Sequence, residues 1–205
     1  MDSNFHLKVE RNGKIDLLTH AEFEKLFEVK YLFNLSFQTF AILNKINKLC
    51  IRAGKDGYMT KENIWYGVYY ENEIKKSCSQ DLYLKWIDDI KEWGLFAKSD
   101  MPARTFVGEY TGIVRKYKKR IDDKNPYCFE YSIGYKKTKY TIDAREKGSL
   151  IRFVNHKKNG NLAPISVFYN GVMRIVFRTN KVVKKDEELT YDYGPFYWTR
   201  REKPI

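Results

Sequence analysis

Residues Ile165–Phe177 read Ile-Ser-Val-Phe-Tyr-Asn-Gly-Val-Met-Arg-Ile-Val-Phe: two apolar and aromatic runs joined by Asn170-Gly171. Both central residues of a type I′ turn need positive φ, and Asn-Gly is the preferred pair, so this stretch predicts a β-hairpin. Outward from it, Leu82–Ile87 and Trp93–Ala97 are further apolar-aromatic runs, separated by turn chemistry at Asp88-Asp89. Thr105–Val114 is another, broken by Gly108 and Gly112. Short strands punctuated by glycine argue for a mainly β fold rather than a doubly wound sheet. The chain has no internal repeat and no low-complexity segment.

Upstream the pattern changes period. Leu35, Ile42, Ile46 and Leu49 recur at steps of seven, four and three, one face of a helix, with Ser36 as the expected cap and Gly54 just past the end. An earlier helical turn carries Phe23, Leu26 and Phe27, and Thr60 is the expected N-cap of a helix bearing Ile64, Trp65, Val68 and Tyr69. These stripes read as core or docking faces. The division drawn is a helical N-terminal region over 1–80 and a β-rich domain over 81–205 with an aromatic end.

At 205 residues and 24.5 kDa the chain suits one domain with a helper region. Apolar residues at 43% and aromatics at 16% exclude wholesale disorder. The net charge of +12 is one-sided: residues 1–92 hold 14 basic and 14 acidic side chains, residues 93–205 hold 24 and 12. Such a surface either serves solubility or meets an acidic partner, nucleic acid included. The densest run, Arg115–Arg120, is either a solvated loop or a phosphate contact. Cys50, Cys78 and Cys128 stand far apart, so neither a disulfide framework nor a cysteine-rich zinc site is expected, and a reducing compartment is the natural home. No signal peptide is visible at the start. Tyr31–Asn44 is too short and polar to span a bilayer, so no membrane partner is expected.

The familiar hydrolase, phosphate-loop and dinucleotide signatures are missing. Six small constellations remain: Trp93-Gly94-Leu95-Phe96-Ala97, Gly108-Glu109-Tyr110-Thr111-Gly112, Tyr127-Cys128-Phe129, Thr141-Ile142-Asp143-Ala144, Arg152-Phe153-Val154-Asn155-His156, and Glu187-Glu188-Leu189-Thr190-Tyr191-Asp192-Tyr193-Gly194. An aromatic-rich, glycine-punctuated site suits a flat or cationic ligand. It does not suit metal hydrolysis, because His156 lacks partner ligands at workable spacing, and no metal is expected. Singly each motif is weak: an Asn-His pair is ordinary structure, and Tyr-x-Tyr on a strand is ordinary packing.

In this order and at these spacings, over about residues 82–198, the motifs resemble the SET-domain family of protein-lysine methyltransferases. The compact chain with its Tyr-Gly-Pro-Phe-Tyr-Trp ending looks most like the small SET proteins of chlamydia-like intracellular bacteria. The resemblance implies small curved β-sheets, a knot-like C-terminal substructure, S-adenosyl-L-methionine as cofactor, and a lysine-rich substrate such as a histone or histone-like protein. By similarity the cofactor contacts are Trp93, Gly94, Leu95, Arg152, Phe153, Asn155, His156, Tyr193 and Trp198. The channel for the substrate lysine is Tyr110, Tyr127, Phe129, Tyr191 and Tyr193, with Tyr193, Tyr110 and Tyr191 as the catalytic set. Asn155 is expected to hold the cofactor's amino-acid end and backbone at His156 to meet the adenine. Tyr191, where the family carries Phe or Tyr, implies mono- or di-methylation.

Two departures stand out. Lys157-Lys158-Asn159-Gly160-Asn161 replaces the family's usual Ser-Cys-x-Pro-Asn-like segment, and no cysteine triplet follows, so Phe196, Tyr197 and Trp198 are expected to replace a zinc-bound lid. The alternative function is a catalytically weak SET-derived module binding DNA or a chromatin or nucleoid partner; the presence of both Asn155 and Tyr193 argues against it. Repulsion between a +12 chain and a cationic tail is an objection with two escapes: docking on nucleic acid, or a local acidic groove at Glu130, Asp143 and Glu188. The resemblance allows a bacterial cytoplasmic location or export into a host cell, and leaves the oligomeric state open.

Overall fold

The computed structural model describes residues 6–76 and 81–199; Cys78 and the side chain of Phe196 lie outside the described residues. The chain opens with a hairpin, β1 (Leu7–Arg11) and β2 (Lys14–Leu18), then α1 (His20–Phe27), β3 (Lys30–Tyr31), β4 (Ser36–Phe37), α2 (Phe40–Lys55), α3 (Lys61–Tyr69) and α4 (Glu71–Lys76). There follow β5 (Leu82–Asp88), β6 (Glu92–Ala97), β7 (Phe106–Glu109), β8 (Ile113–Lys116), α5 (Lys119–Asp122), β9 (Cys128–Ile133), β10 (Lys136–Asp143) and β11 (Lys147–Gly148). A 3₁₀ turn over Leu150–Phe153 leads to β12 (Asn155–His156), then β13 (Leu162–Tyr169), β14 (Val172–Thr179), β15 (Thr190–Tyr191) and α6 (Pro195–Trp198).

The fold is mainly β, in small separate sheets with strand orders β2-β1-β5-β6, β4-β8-β10-β9 and β13-β14-β7, plus the pairs β3–β11 and β12–β15. The hairpin read from Asn170-Gly171 is β13–β14, with φ of 50° and 79° at the two turn residues. The C-terminal segment passes between two others. Leu189 donates to the Leu95 carbonyl at 2.7 Å on one side, and β15 runs parallel to β12 on the other. This is the expected knot-like arrangement.

The N-terminal region holds four helices, but also four strands that periodicity did not predict. β1 pairs parallel with β5 and β4 with β8, so this region is built into the sheets of the rest. Ser36 therefore lies in a strand. α2 is capped by Thr39, whose hydroxyl accepts from Ile42 N, and Gly54 falls inside it. Thr60 caps α3 as expected, with Asn63 reciprocating. The stripe assigned to α3 is nonetheless exposed, Trp65 at 55% and Val68 at 68%. The helix instead packs through Gly67, where a Cβ would stand 1.8 Å from the Phe168 carbonyl oxygen on β13. Among the described residues no helix is long and apolar enough to cross a membrane.

Candidate active site: a cleft and an aromatic tube that meet at Tyr193

Ser149 caps the 3₁₀ turn and ties it to the Glu109 carbonyl at 2.6 Å. The chain then enters β12, and pairing with β15 sets Asn155 beside Thr190 and His156 beside Tyr191. Asn155 Nδ2 donates to the Trp93 carbonyl (3.3 Å) and to Glu188 Oε1 (3.0 Å). His156 Nδ1 accepts from the Tyr193 backbone N–H at 3.1 Å. The Asp192 carboxylate lies 3.8 Å from the same nitrogen. The Asn155 and His156 side chains pin the start of β6 and the segment after β15. Asn161, a member of the segment that departs from the family pattern, holds the Glu188 carbonyl and the Thr190 N–H through its amide.

These elements bound a cleft of about 350 Å³ lined by Trp93, Tyr127, Arg152, Phe153, Asn155, His156, Tyr193, Tyr197 and Trp198 among others. Its size is within the range of small-molecule sites. Arg152 donates to the Ala144 and Arg145 carbonyls and lies 3.8 Å over the Tyr127 ring, so it braces the wall as well as lining it. Leu95 does not reach the cleft: its side chain is fully buried and its contribution is the carbonyl that meets Leu189. At Gly94 a Cβ would stand 2.7 Å from the Ile87 side chain and 3.1 Å from those of Glu188 and Phe96, and Gly94 itself does not line the cleft. Trp198 on α6 stacks on Tyr193 at 6.0 Å and meets His156 edge-on at 4.9 Å.

The second feature is a run of rings. Tyr110 lies 5.3 Å from Phe129, Phe129 6.3 Å from Phe177, Phe177 4.8 Å from Tyr191, and Tyr191 4.7 Å from Tyr193. Tyr193 thus belongs to both the cleft and this run of rings, the aromatic tube. Its hydroxyl donates to the Val154 carbonyl at 2.7 Å, and that of Tyr110 to the Tyr127 carbonyl at 2.8 Å. Burial holds the phenols of Tyr110, Tyr191 and Tyr193 well above the ordinary tyrosine range. They are neutral dipoles at physiological pH, with lone pairs to offer and no phenolate.

Phe177 and Asn161 were not singled out as site residues from the sequence, and Glu188 was singled out only for an acidic groove. Phe177 ends the apolar run of the hairpin, which reads as core; only the tertiary fold turns its ring to the tube. The acidic groove expected of Glu130, Asp143 and Glu188 does not form. Glu130 pairs with Lys137 (2.9 Å), Asp143 with Arg115 (2.6 Å), and Glu188 accepts from Asn155. Arg115, also 2.5 Å from Asp122, leaves the basic run as a structural clamp. Burial pushes the Cys50 thiol up to about 11 and that of Cys128 up to about 12, so neither is a ready nucleophile. Among the described residues no cluster of His, Cys, Asp and Glu is arranged to hold a metal.

A family model described as the SET domain matches residues 92–194. Histone-lysine N-methyltransferase SETD2 of Mus musculus and of Homo sapiens is 38% identical over 108 residues, 50% of this chain and 4% of the relative. Histone-lysine N-methyltransferase EHMT1 of Mus musculus is 32% identical over 116 residues, 54% of this chain and 9% of the relative. The chain therefore matches less than a tenth of the length of these relatives. Among solved structures, ctPRC2 in an autoinhibited conformation bound to S-adenosylmethionine aligns with TM-score 0.53 and 25% identity, over 69% of this chain and 19% of that one. The Chaetomium thermophilum polycomb repressive complex 2 aligns with TM-score 0.52 and 29% identity, over 59% and 16%.

Proposed function

The chain belongs to the SET-domain family, and from that premise we propose that it is an S-adenosyl-L-methionine-dependent protein-lysine N-methyltransferase. Its substrate is a lysine-rich protein such as a histone or bacterial histone-like protein. One observation carries this reading: Tyr193 both lines a small-molecule cleft and ends a run of packed aromatic rings. Such a shared side chain suits a transfer in which one reactant occupies the cleft and the other approaches along the rings.

The residues fit the cofactor. The half-buried indole of Trp93, the side-chain amide of Asn155 and the Trp198 ring, all in the cleft wall, suit a ligand with an ammonium end and a flat base. When bound, the cofactor supplies an electrophilic methyl group on a sulfonium. The protein's part is orientation and desolvation. Tyr110, Phe129, Phe177 and Tyr191 strip water from the lysine side chain, which lowers its pKa and favours the neutral amine that attacks. Transfer to the neutral amine would break the methyl–sulfur bond as the nitrogen–carbon bond forms, with the surplus proton leaving to solvent. Because the Tyr193 hydroxyl donates to the Val154 carbonyl, its oxygen would serve as an acceptor that orients the methyl without removing a proton. Rigid alignment of this kind contributes several kcal/mol.

Tyr191, packed between Phe177 and Tyr193, carries a hydroxyl that a phenylalanine there would lack, which supports mono- or di-methylation. The likeness of the compact chain to small bacterial SET proteins supports action in a bacterial cytoplasm or after export into a host cell.

The test is incubation with radiolabelled S-adenosylmethionine and a panel of histones, histone-like proteins and lysate. Label on a basic protein, lost by about 10²-fold or more with Tyr193→Phe while the cofactor still binds, is the expected result. No label and no cofactor binding would transfer support to a weak SET-derived module that holds DNA or a chromatin partner.

A further inference from the structure

Lys45, Lys48, Arg52 and Lys55 recur along α2 at steps of three, four and three, one face of the helix. That face is turned away from the buried Ile46, Cys50 and Ala53, and α2 contains no carboxylate. Beside it lies the β9–β10 hairpin, whose second strand opens Lys136-Lys137-Thr138-Lys139. Between the two elements is a groove of about 470 Å³, lined by Lys45, Arg52, Tyr58, Lys136, Lys137 and Lys139 among others. The lining holds five cations against the single carboxylate of Asp56, and shares no residue with the cleft at Trp93. Arg52 meets Asp56 at 3.1 Å, Lys137 meets Glu130 at 2.9 Å, and the Lys136 ammonium sits 3.2 Å above the Tyr58 ring.

Like charges gathered on two adjoining elements repel one another, and a polyanion relieves that repulsion. Along the helix the four cations succeed one another at intervals of about 4.5–6 Å, a continuous cationic row that suits a polymer of closely spaced phosphates. A lipid surface fits less well: an interfacial helix needs its apolar face for the bilayer, and α2 buries that face in the core. Lysine predominates, and lysine neutralises phosphates rather than reading base edges.

We propose that this groove binds the phosphate backbone of duplex nucleic acid. It is a second site, sharing no lining residue with the cleft, formed by α2 from the charge-balanced half of the chain together with the β10 strand. The methyl-transfer reading bears on it in one respect: a cationic substrate tail that a +12 chain would repel is already carried on such a polymer.

The experiment is fluorescence anisotropy of the full chain with a labelled DNA duplex over a salt series. Lys45→Gln/Lys48→Gln/Lys136→Gln/Lys139→Gln is compared with a control of equal charge change elsewhere, Lys14→Gln/Lys25→Gln/Lys30→Gln/Lys61→Gln, both checked for folding by circular dichroism. The groove variant should bind at least tenfold more weakly, with the log–log salt slope reduced by about 3–4. The control should keep wild-type affinity within about twofold. Methylation of a free lysine peptide should be equal in all three, which separates this test from that of the enzyme. Failure of the wild type to bind DNA, or equal losses in the two variants, would overturn the proposal. So would tighter capture of phosphatidylserine vesicles or polyglutamate through the same lysines.

Discussion

Tyr193 gives its hydroxyl proton to the Val154 carbonyl and takes its backbone position from His156 Nδ1. Burial raises its pKa well above 10.0. The raised value keeps the phenol neutral, so it neither supplies a base near neutrality nor ionises within the working range. The pH dependence of kcat/KM should therefore follow the substrate amine, rising with pH through about pH 10 without a descending limb from this tyrosine. A plateau beginning near neutrality would instead reveal a titrating base that this account lacks. Tyr193, Asn155 and His156 were legible because they sit in contiguous motifs. Glu188 and Phe177 were not, because their roles arise only when distant segments meet: the Glu188 carboxylate reaches across to Asn155, and Phe177 bridges Phe129 and Tyr191.

Among the elements, β13–β14 was the most readable, since Asn170-Gly171 encodes its turn locally. α2 was legible as a helix but not in its start, because Ser36 was drawn into pairing with β8 and Thr39 became the cap. In α3 the apolar stripe misled. Ile64, Trp65, Val68 and Tyr69 read in the sequence as a core or docking face and are not core, since the missing side chain of Gly67 lets the helix backbone reach β13 instead. Gly67→Ala places a methyl group 1.8 Å from a backbone oxygen that cannot step aside alone. It should lower stability by about 1–3 kcal/mol or more in a denaturant titration, with little change in the slope. A neutral Gly67→Ala would mean that α3 is not seated as described.

At the scale of the whole molecule the N-terminal region completes the cleft from behind. Phe27 meets Trp93 at 5.1 Å and Phe153 at 5.0 Å, Phe23 meets Phe153 at 6.2 Å, and β1 extends the sheet of β5 and β6. A chain beginning at residue 81 should be insoluble or fail to bind cofactor; a soluble, cofactor-binding truncation would assign the region to substrate choice instead. The strands of this region escaped the sequence reading because β1 is short, and pairing with a strand some seventy-five residues later leaves no local signal. The central claim is that cleft and tube deliver a methyl group to a lysine amine. Mass spectrometry of a histone or histone-like protein after incubation with the full chain and S-adenosylmethionine tests it most directly. The account predicts one or two added methyl groups on lysine side chains, absent with Tyr193→Phe. Methylation confined to another residue type, or no product from any lysine-rich protein while the cofactor is bound, would contradict it.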